Sequence, residues 1–197
     1  YVSVGDFDGD GKADIVTGSG PGAAGHVKVF GGADGALLHS FVAFDGFSGG
    51  VNVAAGDLDG DGRADVVAGA AGGGGGHVKT FDGATGAQEA SFLAFDGGFA
   101  GGVQVGVGPD ANGDGVGDLT VGAVGTGHVK TFDPAGQLLT NTVVPGTASG
   151  GVGTAPAPAN AAPVLAPVGP KGGPALQTIA FAPAAADADR NAALTFS

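Results

Sequence analysis

One unit recurs three times along the chain, and that recurrence constrains the fold more than any single motif does. Gly-His-Val-Lys begins at Gly25, Gly76 and Gly127, two steps of 51 residues. An acidic loop opens at Asp6, Asp57 and Asp110, spaced 51 and then 53. Phe41-Val-Ala-Phe44-Asp-Gly returns as Phe92-Leu-Ala-Phe95-Asp-Gly. The drift is local: Gly108-Pro109 precede the third loop, and the segment from that loop to His128 is two residues shorter. Three copies of one supersecondary unit therefore account for roughly residues 1–145.

Each copy carries the signals of short strands. In the second, Val51-Asn-Val-Ala-Ala alternates before the acidic loop, and Ala64-Asp-Val-Val-Ala is an apolar run after it. Gly72–Gly76 then breaks the chain ahead of His77-Val-Lys-Thr-Phe81, and the turn residues 82–86 lead to Glu89-Ala-Ser-Phe-Leu-Ala-Phe95. No window shows the apolar period of a helix. With 44 Gly in 197 residues, helices are disfavoured further, because each interior Gly costs a helix about 1 kcal/mol relative to Ala. Four strands with Gly/Asp turns in one repeat match the size of a propeller blade. The expected fold is all-β: about three antiparallel four-stranded blades forming a partial propeller. The first copy opens mid-strand at Tyr1-Val-Ser-Val, as a piece of a longer protein would.

Composition shifts near residue 145. Eight of the eleven prolines lie from Pro145 onward, and residues 146–162 read as an extended Pro/Ala/Gly linker. Residues 163–197 hold strand-like runs, Gln177-Thr-Ile-Ala-Phe181 and Ala193-Leu-Thr-Phe196, too few to build a core alone. They read as the truncated start of a β-sandwich. The uncharged stretch Asn141–Pro170 has six prolines, which rules out a spanning helix.

The formal charge of −12 is concentrated. Eleven of nineteen acids lie in Asp6–Asp14, Asp57–Asp65 and Asp110–Asp118, leaving eight acids against seven bases elsewhere. Diffuse acidity would serve solubility; three matching clusters ask for a cation. Asp6-Phe-Asp8-Gly-Asp10-Gly-Lys12-Ala-Asp14 turns alternate carboxylates inward at loop positions 1, 3 and 5. Position 7 offers a backbone carbonyl (Lys12), position 9 closes the ring, and Gly at position 6 permits the sharp turn. Ca²⁺ takes 6–8 oxygens in a forgiving geometry, which this spacing supplies. The second copy sets Asp57, Asp59, Asp61, the Arg63 carbonyl and Asp65 in the same places. The third sets Asp110, Asn112, Asp114, the Val116 carbonyl and Asp118, and Asn112 removes one charge, so weaker binding is expected there. A helical EF-hand would need Glu at position 12, where Thr17, Ala68 and Val121 stand. A nonapeptide calcium β-roll would need a nine-residue repeat, which is absent.

Val53-Ala-Ala-Gly-Asp-Leu-Asp-Gly-Asp-Gly-Arg-Ala-Asp-Val-Val-Ala-Gly-Ala70, followed by Gly-His-Val-Lys-Thr-Phe81, resembles an FG-GAP repeat, the blade of integrin-alpha-type β-propellers. The likeness covers about 145 residues. It implies calcium at the blade edge, held by the residues just named, a ring of about seven blades in the whole protein, and a secreted or cell-surface setting with an adhesive role. The tail, with Pro163-Val-Leu and Ala186-Asp187-Ala-Asp189, is similar to the start of bacterial cadherin-like or Ig-like modules. That likeness implies a further calcium site at Asp187 and Asp189, for which a polar turn is an equal alternative.

Other functions are disfavoured. Without Cys there is no thiolate catalysis or disulfide, and the acidic balance argues against nucleic acid as a partner. A lectin would want Trp or Tyr platforms, and the chain has no Trp and one Tyr. His26, His77 and His128 repeat on strands and read as local hydrogen-bonding residues; the repeated Phe residues read as core. Gly72–Gly76 lacks the Lys-Ser/Thr of a phosphate loop. No nucleophile–base–acid set can be assembled, so a non-enzymatic calcium-binding region is expected, its partner an unknown protein or matrix ligand. The rival expectation is an accessory propeller of a secreted hydrolase or lyase whose catalytic domain lies elsewhere.

Overall fold

A computed structural model describes residues 1–95 and 98–144. The expected linker and the tail module lie outside the described residues. Among the described residues, twelve strands form three antiparallel sheets, each a meander in chain order. The first comprises β1 (Val2–Gly5), β2 (Asp14–Gly18), β3 (Gly25–Phe30) and β4 (Leu37–Phe44). The second comprises β5 (Val51–Gly56), β6 (Asp65–Ala70), β7 (His77–Phe81) and β8 (Gln88–Leu93). The third comprises β9 (Val103–Gly108), β10 (Asp118–Ala123), β11 (His128–Phe132) and β12 (Leu138–Val143). Register repeats too: Gly5 faces Asp14, Gly56 faces Asp65 and Gly108 faces Asp118. The acidic loops are thus the β1–β2, β5–β6 and β9–β10 connections.

Side chains alternate across a strand, so each sheet offers two faces. Val16, Val27 and Val29 of the first sheet cluster with Val51, Val53 and Val66 of the second. Ala54, Val67 and Val78, on the other face of the second sheet, cluster with Val105, Leu119 and Val121 of the third. The second sheet is consequently covered on both sides, and β6 is buried at all six positions. That explains why Asp65-Val-Val-Ala-Gly-Ala70 reads as a continuous apolar run rather than an alternating one. Ile15 occupies in β2 the place of Val66 in β6, yet is 43% exposed against 2%. Buried apolar area is worth about 25 cal/mol per Å², so the two inter-sheet cores supply the main adhesion between repeats.

The repeated motifs meet across these interfaces. Phe44 leaves the first sheet and lies 5.1 Å, ring to ring, from His77 of the second, with Lys79 Nζ 5.4 Å above its centroid. Phe95 does the same to His128 (5.2 Å) and Lys130 (4.9 Å) of the third. Each of the three repeated histidines keeps a hydrogen bond within its own sheet: His26 to Ser40, His77 to Ser91, and His128 to Asn141. The fourth strand of the second sheet ends at Leu93, earlier than the expected Phe95. Phe95 instead turns into the inter-sheet core, where it is 5% exposed.

Candidate metal centre

The loops fold around their first aspartate. Asp6 Oδ1 accepts from the Gly9 N–H at 2.8 Å and the Asp10 N–H at 3.2 Å, and Oδ2 accepts from the Gly11 N–H at 2.8 Å. Asp8 then accepts from the Asp10 N–H and Asp10 from the Lys12 N–H, at 3.0 and 2.8 Å. Each is a side chain capturing the N–H two residues on, a turn that Asp forms readily. The second loop repeats the pattern: Asp57 accepts from Gly60 and Gly62, Asp59 from Asp61, and Asp61 from Arg63. In the third, Asp110 accepts from Gly113, Asp114 and Gly115, and Asp114 from Val116. The required chain reversal puts position 6 at positive φ (Gly11 +81°, Gly62 +86°, Gly115 +97°), a backbone that glycine adopts without steric cost. Position 4 is likewise left-handed (Gly9 +76°), a need the turn argument from sequence did not include.

These turns gather like charges. Asp6, Asp8 and Asp10 bring ligand oxygens within 4.8 Å of one another, and so do Asp57, Asp59 and Asp61. A third acidic group, Asp59 with Asp82 and Glu89, shares one member with the second loop. Burial, and next the Asp59 charge, push the Glu89 carboxyl above its ordinary pKa. At the first loop, Lys12 Nζ sits 2.9 Å from Asp10 Oδ2, and this ammonium draws the Asp10 carboxyl down. A cationic side chain thus occupies one oxygen of a group whose donors are all hard oxygens, the preference of Ca²⁺ or Mg²⁺. The third loop differs. Asn112 donates from Nδ2 to Asp114 Oδ2 at 2.9 Å, replacing a repulsion with a hydrogen bond. Asp110 is held below the usual carboxylate range, first by the Gly115 N–H.

Position 9 lies behind the exposed group. Asp14 and Asp65 are 1% and 2% exposed. Asp14 Oδ2 accepts from the Phe7 N–H and Oδ1 from the Gly32 N–H, both at 2.7 Å. Asp65 accepts from Leu58 and Gly83, both at 2.8 Å. Each carboxylate therefore ties its acidic loop to the hairpin between the third and fourth strands. The glycine at that hairpin is a matter of space: a Cβ on Gly83 would stand 1.7 Å from the Ala64 carbonyl oxygen. Burial raises Asp65 to a pKa of about 6, against the pull of its two N–H donors. Asp118 accepts from the Ala111 N–H, at 2.6 Å, and among the described residues its Oδ1 is buried without a hydrogen-bond partner. Pro134 stands in its hairpin where Gly32 and Gly83 stand in theirs, and proline has no N–H to give. Position 2 is structural as well: Phe7 and Leu58 plug the inter-sheet cores. Sequence reasoning assigned position 2 no role, although an apolar residue inside an acidic loop was the available signal.

The FG-GAP-like repeat family matches residues 6–68, and the FG-GAP repeat family matches residues 49–91. Residues 6–91 are an FG-GAP-repeat region. FG-GAP repeats are structural and non-catalytic. The third sheet lies beyond both matches but repeats the strand order and the loop. No curated protein matches the chain. Among solved structures it is similar to a protein of unknown function from Bacteroides caccae, at 18% identity and a TM-score of 0.47. That alignment covers 81% of this chain and 48% of the other, so the chain spans about half the length of the structure it matches. No helix among the described residues is long and apolar enough to cross a membrane.

Proposed function

We propose that this chain is a calcium-binding repeat region of a secreted or cell-surface bacterial protein, with a structural role in adhesion to a protein or matrix ligand. The observation that carries the reading is the gathering of Asp6, Asp8 and Asp10, and of Asp57, Asp59 and Asp61, on loops already bent by their own hydrogen bonds. Bound Ca²⁺ would neutralise that charge and lock the blade edge. Lys12, Arg63 and Val116 would add backbone carbonyls. Asp14, Asp65 and Asp118 would close the shell through lone pairs left free by their N–H donors, a carboxylate having about four such sites. Asn112 makes the third site the weakest. Because cations bind the folded loops and not the open chain, binding stabilises the fold by mass action. In the whole protein, residues 1–145 would be blades of a propeller of about seven, 146–162 a linker, and 163–197 the start of a cadherin-like or Ig-like module.

Calorimetry on chelator-stripped protein tests this. Ca²⁺ titration is expected to release or absorb binding heat and to raise the melting temperature. No heat together with an unmoved melting temperature would end the proposal.

A further inference from the structure

The loops touch one another in a fixed pattern. The position-8 N–H of each donates to the position-1 carbonyl of the loop before it: Ala64 to Asp6 at 2.7 Å, and Gly117 to Asp57 at 3.2 Å. The neighbouring position-7 side chain follows its backbone across. Arg63 lies against Gly9, where a Cβ would stand 3.4 Å from Nε, 3.6 Å from Cζ and 3.7 Å from Nη2. Gly9 sits between Asp8 and Asp10, two of the three carboxylates gathered in the first loop. At the second loop the visiting side chain is Val116, whose Cγ1 would be 3.5 Å from a Cβ on Gly60. At the third, Gly113 has nothing within 4 Å.

We propose that Arg63, a second-loop residue by sequence, sets the divalent-cation affinity of the first loop. The inference rests on the calcium reading above and adds to it an assignment of charge. Among the described residues Lys12 forms an ion pair with Asp10, and no carboxylate lies within ion-pair distance of Arg63. Its guanidinium therefore brings an uncompensated positive charge to the first loop, where Lys12 already adds one. A divalent cation entering there meets two cationic side chains, Lys12 on Asp10 and Arg63 beside Gly9. The second loop is visited by a neutral valine, loses its own arginine to its neighbour, and has Asp82 and Glu89 close to Asp59. The second loop binds more tightly than the first, and Arg63 accounts for much of the difference. Arg63 acts as a positioning residue for charge, since its side chain offers the cation no ligand.

The test is a CaCl₂ titration of the uniformly ¹⁵N-labelled 197-residue chain at low salt, following the amides of Gly9 and Gly11 against those of Gly60 and Gly62. Arg63→Gln should tighten the first loop roughly three- to tenfold, the Coulomb effect of one charge on a divalent ion after screening. That gain should exceed any change at the second loop by at least threefold. Arg63→Lys, which keeps the charge, should behave as the unaltered chain does, and 0.5 M NaCl should erase the Arg63→Gln gain. Calcium-dependent shifts with unchanged first-loop affinity in Arg63→Gln would overturn the inference alone, as would equal changes at both loops. No calcium-dependent shift at any of the four glycines would overturn the calcium reading and this inference together.

Discussion

Replacing Asp65 by alanine should destabilise the fold far more than replacing Asp118, although both stand at the ninth position of an acidic loop. Asp65 accepts two backbone hydrogen bonds, from Leu58 and Gly83, whereas Asp118 accepts one, from Ala111. A hydrogen bond to a charged group contributes about 1.5–3 kcal/mol, and the backbone N–H left behind in a buried place loses its partner. Desolvation opposes the charge in both residues, as their raised pKa values show. Asp118→Ala also removes a buried oxygen that had no partner, which lowers its cost further. The one additional charged hydrogen bond of Asp65 should separate the two variants by about 1.5 kcal/mol. With a urea slope of about 1–3 kcal/mol per M, the midpoints should separate by about 1 M. The assay is urea unfolding followed by far-UV circular dichroism at pH 7 in excess chelator, so that cation binding does not enter. Asp14→Ala, which loses bonds from Phe7 and Gly32, should group with Asp65→Ala. Equal midpoints for Asp65→Ala and Asp118→Ala, or a greater loss in Asp118→Ala, would refute the two-armed clamp.

Asn112→Asp restores the missing carboxylate and removes the amide bond to Asp114, so calorimetry should show the third site tightening while the other two keep their affinities. Asp65 should titrate with a midpoint of about 6 in a carboxyl-carbon NMR titration of chelator-stripped protein. Its folded pKa lies above the unfolded value near 3.9, so the folded state holds this proton more firmly. The stability linked to this proton is complete below about pH 3.9 and is lost as pH rises through about 6, with about 3 kcal/mol as the upper bound, while the hydrogen bonds from Leu58 and Gly83 persist on the ionised carboxylate at pH 7. A midpoint near 4 would contradict that burial. Gly83→Ala should destabilise the second sheet, because the added methyl would collide with the Ala64 carbonyl and displace the N–H that serves Asp65. A midpoint within about 0.3 M urea of the unaltered chain would show the hairpin to be slack.

The acidic loops were legible from sequence because alternation is a local property. Asp6, Asp8 and Asp10 are spaced so that each side chain captures an N–H a few residues on, and the same order of residues fixes where they point. The four strands per repeat were equally legible, with β7 at the expected bounds. The role of Asp14 and Asp65 as clamps was not, because Gly32 and Gly83 donate from hairpins eighteen residues away in sequence. Pro134 in place of glycine was a visible sign of the broken third clamp, but its meaning needs the register to read. The histidines show the same division. Their hydrogen bonds to Ser40 and Ser91 stay within a repeat and follow from the strand pairing. The stacking of His77 on Phe44 joins two repeats, and only the packing of one sheet on another brings those motifs together. Arg63 misleads most, since its neighbours in sequence belong to one loop and its charge to another.

A crystal structure of the chain grown in calcium chloride would test the central claim most directly. The account predicts an ion at each of the first two loops, one bounded by Asp6, Asp8 and Asp10 and the other by Asp57, Asp59 and Asp61. Loops free of any ion at millimolar calcium, or an ion held by Asp59, Asp82 and Glu89 in place of the second-loop site, would contradict it.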